Sequence, residues 1–173
     1  MRCFIALDLP KQVIEEIKKI QNALPEFTGK KIESKNLHLT LKFLGEISEE
    51  KTEQIRENLK KIKFQKFETK IDSIGVFSEK IIRIIWLHLT NCDALQKEID
   101  GSLKDIFQPE QRFMSHLTIA RVKNVENKKE FLEKLKKIKI PKINFMVENF
   151  KLKSSTLKPE GPVYEDIEIY NLK

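Results

Sequence analysis

Apolar residues along the chain change their spacing several times, and each change predicts an element. The run from Arg2 to Leu9 is apolar at successive positions and predicts a strand. Pro10 suits a first helical turn, where its missing N–H costs nothing. Val13, Ile17, Ile20 and Leu24 then recur at helical spacing. Pro25 and Gly29 close that unit, and a short extended piece follows at 31–33. A second strand covers Asn36 to Leu44 and stops at Gly45. Ser48 is a helix cap with Glu49 and Glu50 in the first turn, and Ile55, Leu59 and Ile62 mark the buried stripe. Phe67–Phe77 and Ile81–Leu89 predict a hairpin across Ser78-Glu79-Lys80. Leu95, Ile99, Leu103 and Ile106 predict a helix that Pro109 ends. A strand from Ser115 to Val122 follows, then a helix on Phe131, Leu135 and Ile138, capped at Asn124 or Asn127 and ended by Pro141. Ile143–Leu157 and Val163–Leu172 predict a last hairpin around Pro159-Glu160-Gly161-Pro162.

Two of these strands share a tripeptide. His38-Leu39-Thr40 and His116-Leu117-Thr118 both sit early in their strands. Strand side chains alternate faces, so His and Thr share one face, about 6–7 Å apart, while Leu points the other way. His-Leu-Thr strand, helix, long strand and hairpin partner occur in that order over about 37–89 and again over about 115–172. The expected fold is therefore α+β and bilobal: two pseudo-symmetric antiparallel sheets facing a central cleft, with helices on the outer faces. The whole chain, 1–173, is expected to form one such domain. His88-Leu89-Thr90 repeats the letters a third time, but His88 ends its strand and a helix starts almost at once. It reads as a histidine at the rim of the core, outside the site.

Composition adds little constraint. Lys and Arg exceed Asp and Glu by 33 to 26, a net charge of +7, which favours a polyanionic partner such as RNA or a phosphorylated small molecule. Cys3 and Cys92 do not form a disulfide framework, so a reducing, cytoplasmic setting is expected. No apolar run approaches a membrane span.

The paired tripeptides point to acid–base chemistry on phosphorus. One imidazole can take a proton from a nucleophile while the other protonates the leaving oxygen. Two threonine hydroxyls can hold the non-bridging oxygens. A zinc site needs three or four ligands, and only two histidines converge, so no metal or other cofactor is expected. Ser115 adjoins His116 but points to the opposite face, and no Gly-rich phosphate loop with Lys-Ser or Lys-Thr exists. Lys42 shares parity with His38 and Thr40 and is a second phosphate contact on that ground. Arg121 lies an odd five residues after His116, so plain alternation turns it away unless a bulge restores it.

At these residues the chain resembles the two-histidine phosphoesterases, in the branch of RNA 2′,3′-cyclic phosphodiesterases and 2′-5′ RNA ligases. The likeness runs from Met1-Arg2-Cys3-Phe4-Ile5-Ala6-Leu7-Asp8 through both His-Leu-Thr motifs and Arg112-Phe113 to Gly161-Pro162-Val163-Tyr164. Ser115 stands where that branch usually has proline. The resemblance implies metal-independent hydrolysis of an RNA 2′,3′-cyclic phosphate to a 2′-phosphate, with ATP-independent 2′-5′ joining as the reverse. It implies His116 as general base, His38 as general acid, Thr40, Thr118 and Arg121 on the phosphate, and Phe4 stacked on the terminal base. The implied partner is RNA with a cyclic-phosphate end, transfer-RNA fragments among them, met by a monomer. An RNA-binding module, or a phosphodiesterase for small cyclic nucleotides, is the alternative on the same fold.

Overall fold

The computed structural model describes residues 1–173 in two antiparallel sheets. In chain order the elements are β1 (Arg2–Asp8), α1 (Lys11–Asn22), β2 (Thr28–Lys31), β3 (His38–Glu46), α2 (Glu49–Lys60), β4 (Phe67–Val76) and β5 (Ile84–Leu89). Then come α3 (Asp93–Ser102), β6 (His116–Asn124), α4 (Lys128–Lys136), β7 (Ile143–Val147), β8 (Asn149–Lys158) and β9 (Gly161–Asn171). A four-stranded sheet runs β3-β1-β8-β9, and a five-stranded sheet runs β2-β6-β5-β4-β7. The expected α+β architecture is present.

Two of the helix starts, those of α2 and α4, follow from side-chain caps. Ser48 Oγ accepts from the Lys51 N–H at 3.2 Å, and Asn127 Oδ1 accepts from the Glu130 N–H at 3.1 Å. Each satisfies one of the amides that a first turn leaves without a helical partner. Asn127, not Asn124, is thus the cap of α4. The last hairpin turns where expected, with Lys158 opposite Gly161, but its first arm is shorter than expected. The stretch 143–157 is two strands, β7 in the five-stranded sheet and β8 in the four-stranded one. The reason lies in the apolar phase: Ile143, Phe145 and Val147 are buried, then Phe150 and Leu152, so parity slips by one at Glu148. Here the change of buried face coincides with a crossing from one sheet to the other.

The halves of the chain interlock. β4 follows α2 but pairs with β5, and β8 follows α4 but pairs with β1. α1 packs on β6 and β7, although the strand before it, β1, belongs to the other sheet. α3 packs on β3 although it follows β5. One apolar cluster of 36 buried residues draws on both sheets. β5 lies between β6 and β4, as β1 lies between β3 and β8. β9, by contrast, lies at an edge, so the partner of β5 by position is β1 and not the final strand.

Candidate active site

β3 and β6 are neighbours where the two sheets meet. Their burial follows the same sequence of half-buried, buried and exposed positions along all nine residues. His38, Thr40, His116 and Thr118 are all half-buried, while Leu39 and Leu117 anchor the strands in the core. His38 Nδ1 lies 2.7 Å from the carbonyl of Asn36, and His116 Nδ1 lies 2.9 Å from the carbonyl of Met114. A carbonyl only accepts, so in both rings Nδ1 carries the hydrogen and Nε2 is left for chemistry. His38 Nε2 sits 3.1 Å from Thr40 Oγ1.

A bulge follows each threonine. Opposite β1, Thr40 pairs with Ala6 and Lys42 with Ile5, so Leu41 is extra. Opposite β5, Thr118 pairs with Trp86 and Ala120 with Ile85, so Ile119 is extra. An extra residue reverses parity beyond it. Arg121 therefore returns to the face of His116, as a bulge would require. The same device overturns the expectation for Lys42. Its side chain is 2% exposed, and Nζ donates to Asp100 Oδ1 at 2.6 Å and to the Gln108 carbonyl at 2.9 Å. Lys42 is an interior ion-pair residue and faces away from the histidines. Phe43 takes the outward place, 70% exposed.

Phe4 is also placed differently from the role implied for it. It is 4% exposed, with its ring centroid 5.1 Å from His38 and 5.1 Å from Tyr164. It backs the His38 ring and has no open face for a base. The open aromatic surface there belongs to Phe43 and Tyr164, the latter edge-on to His38 at 5.0 Å. On the other side, exposed Phe77 stands edge-on to His116 at 4.8 Å.

The electrostatics of His38 reflect this packing. Burial is the main cause that pulls its pKa below the ordinary imidazole value. The Asn36 carbonyl opposes that shift, Lys153 adds to it, Asp8 opposes it and Arg121 adds to it. Arg121 thus acts from the opposite strand on the His38 ring. Lys153 belongs to a cluster in which Lys151 and Lys153 each meet Asp8 and Asp166 at 2.6–2.9 Å. Burial alone would raise the Asp166 carboxyl, but hydrogen bonds from the two lysines hold it below the usual range.

A model of the LigT like Phosphoesterase family matches residues 7–86 and 90–164. The chain belongs to the LigT-like phosphoesterase family. It is similar to an RNA 2′,3′-cyclic phosphodiesterase of Methanocaldococcus jannaschii, at 40% identity over 96% of this chain and 98% of that one. A Thermotoga maritima protein of the same description is 36% identical over 95% of this chain and 92% of its own. The crystal structure of a Thermus thermophilus protein superposes with a TM-score of 0.83 at 26% identity, covering 99% and 97% of the two chains. Escherichia coli LigT bound to 3′-AMP shares the fold, with a TM-score of 0.80 at 24% identity over 99% and 98% of the chains.

Within this LigT-like frame, several residues at the site escaped sequence reasoning. Phe77 and Lys153 carry no motif, and Phe43 and Tyr164 lie in stretches that carry the resemblance but received no role there. Phe43 was findable as the residue five after His38, the place Arg121 holds after His116. His88, read as a rim residue, is the direct cross-strand partner of His116. Its Nδ1 lies 2.7 Å from Asp72 Oδ1, and its side chain is 33% exposed.

Proposed function

We propose that this chain hydrolyses RNA 2′,3′-cyclic phosphates to 2′-phosphates by two-histidine acid–base catalysis. The observation that carries this reading is the matched pair of imidazoles. Both are held through Nδ1 by the carbonyl two residues upstream, and both stand next to a threonine on a bulged strand. His116 Nε2 takes a proton from water as its oxygen forms the bond to phosphorus. The P–O3′ bond breaks, and His38 Nε2–H gives its proton to the departing 3′-oxygen. Thr40, Thr118 and Arg121 hold the non-bridging oxygens, where added charge in the transition state makes donors most effective. The bound phosphate anion offsets Lys153 and Arg121 beside His38, and so favours the protonated ring that the acid role needs.

Nowhere in the chain do three or more His, Cys, Asp or Glu side chains cluster as they would to hold a metal ion. No helix is long and apolar enough to cross a membrane. We take residues 1–173 to act as one bilobal unit, its repeat running β1-α1-β3-α2 and β5-α3-β6-α4. The substrate class is RNA with a cyclic-phosphate end. The test is product analysis on an oligonucleotide ending in a 2′,3′-cyclic phosphate. A 2′-phosphate product from wild type, lost in both His38→Ala and His116→Ala, is expected. A 3′-phosphate product, or turnover that survives either substitution, overturns the proposal.

A further inference from the structure

The two sheets treat the cations near the site differently. In the four-stranded sheet Lys151 and Lys153 are each neutralised by Asp8 and Asp166. In the five-stranded sheet Lys30, Arg121 and Lys123 are all exposed, and none of them meets a carboxylate. Lys30 of β2 is the direct cross-strand partner of Arg121 in β6, so the two side chains share a face. Like charges directly opposite each other destabilise a sheet.

The backbone nevertheless holds this pair together. Gly29 lies against the Arg121 carbonyl, where a Cβ would collide with it, so glycine lets β2 come this close. Just beyond Lys30, the Ile32 N–H donates to the Ile119 carbonyl at 2.9 Å. Ile119 is the extra residue that turns Arg121 back towards His116. One bulge therefore serves both cations: it aims Arg121 into the site and is tied to the strand that sets Lys30 beside it. A repulsive pair held by the backbone is relieved by an anion. The cyclic phosphate carries one negative charge, and Arg121 and the two threonines already answer it. The cations continue past that point, through Lys30 and, two residues along β6, Lys123. A free cyclic nucleotide offers these lysines nothing. An RNA strand does, because its terminal nucleotide is joined through the 5′-oxygen to a second phosphate.

We propose that Lys30, flanked by Lys123, binds the phosphate on the 5′ side of the terminal nucleotide, so that the site selects an RNA strand end over a free cyclic nucleotide. The subsite rests on the cyclic-phosphate reading above. It offers charge and no base edge, so it positions any sequence alike.

The experiment gives full-length protein two probes that differ by that one phosphate. One is a nucleoside 2′,3′-cyclic phosphate with a free 5′-hydroxyl. The other carries a methyl-esterified 5′-phosphate, which has the single charge of a chain phosphate. At low salt, wild type should show a kcat/KM about three- to fivefold higher on the second probe, the scale of one exposed ion pair, with the change in KM. Lys30→Gln should erase that preference, Lys123→Gln should reduce it, and Lys30→Arg should keep it. For a longer RNA, the log–log salt slope of binding should be shallower by about 0.7 in Lys30→Gln. Lys30→Glu places a carboxylate opposite Arg121, so its unfolding midpoint should rise while its preference for the 5′-phosphate is lost. A merely structural lysine would not separate the two readouts in this way. No preference in wild type, or the same preference in wild type, Lys30→Gln and Lys123→Gln, overturns the subsite. Failure of wild type to hydrolyse either probe overturns the cyclic-phosphate reading instead. Binding of the two probes then decides the subsite alone, followed by the fluorescence of Trp86, the one tryptophan of the chain and the cross-strand partner of Thr118.

Discussion

β3 and β6 have the same backbone plan and different chemistry. Each presents His, then Thr, then an extra residue that reverses parity, so that the fourth residue after the histidine is buried and the fifth is exposed. In β3 those two are Lys42 and Phe43, in β6 Ala120 and Arg121. One strand thus shows an aromatic ring beside its imidazole, and the other a guanidinium. The bulges are also held differently. At β6 the carbonyl of the extra Ile119 accepts from Gln21 Nε2 at 2.9 Å and from the Ile32 N–H at 2.9 Å. Just past the extra Leu41 of β3, Lys42 turns inward to Asp100, which also accepts from Gln96 and from the Glu110 N–H, each at 2.8 Å. Repetition therefore sets the backbone and leaves Nε2 free in both imidazoles, while the fifth residue after each histidine, Phe43 or Arg121, sets the two sides apart.

The strongest way to break this comparison is to remove what the strands share. His38→Ala and His116→Ala should each lower turnover by about 10²–10⁴-fold, the usual worth of one general acid or base. The double variant should be little worse than either single, because the pair acts as a unit. Full additivity of the two losses in steady-state rates would mean that the strands work independently.

Next come the groups that hold the bulges. Asp100→Asn takes from Lys42, 2% exposed, its carboxylate at 2.6 Å and leaves only that of the more exposed Glu110 at 3.8 Å, and should cost about 3–5 kcal/mol of stability. Gln21→Leu leaves the Ile119 carbonyl with the Ile32 amide and should cost about 1–3 kcal/mol. Denaturant midpoints measure both, and equal costs would remove the contrast. Burial alone would raise the Asp100 carboxyl, but hydrogen bonds from Lys42, Glu110 and Gln96 hold it low. A depressed carboxylate stabilises the fold above its unfolded pKa. That share is lost as pH falls through the lower folded value, below 3.8. Asp100→Asn should flatten the stability curve there.

What differs between the strands comes third. Arg121→Ala should lower kcat/KM by about tenfold, within the range for a hydrogen bond to a charged group. Phe43→Ala should raise KM with a smaller change in kcat. Identical losses in both parameters for the two variants would mean that the fifth position does not divide the labour.

The smallest effect lies in the pH profile. Burial holds the free-enzyme pKa of His38 below the ordinary imidazole value. If His38 must be protonated to act as the acid, kcat/KM should decline with rising pH from below that ordinary range. The decline in kcat should begin at higher pH, because bound phosphate favours the imidazolium. A kcat/KM that rises through the same pKa would exchange the roles of the two histidines.

Much of this molecule was legible in order and period. The His-Leu-Thr strands, the cap at Ser48 and the helical stripes follow from local rules, and they reappear in the fold. Parity was legible only until a bulge interrupted it. Leu41 and Ile119 look like ordinary strand residues, yet each turns everything beyond it over. That is why Lys42 was expected in the site and lies in the core, and why Arg121 needed a bulge. His88 was hidden for another reason. Its place opposite His116 comes from cross-strand pairing between β5 and β6, and pairing partners are set by topology rather than by neighbours in sequence. The slip at Glu148 was present in the spacing of Val147 and Phe150 all along.

The exchange of β4 and β8 between the sheets bears on how the chain reaches this state. The first sheet cannot close until β8 arrives, and β4 has no partner until β5 is made. Early contacts therefore span long stretches of chain, so closure entropy delays them, and folding should be slow for a protein of this size. The same weave denies either half a stable existence alone. Unfolding should be a single cooperative event in which both imidazoles lose their carbonyl partners together, and no half-built site should persist as a populated species.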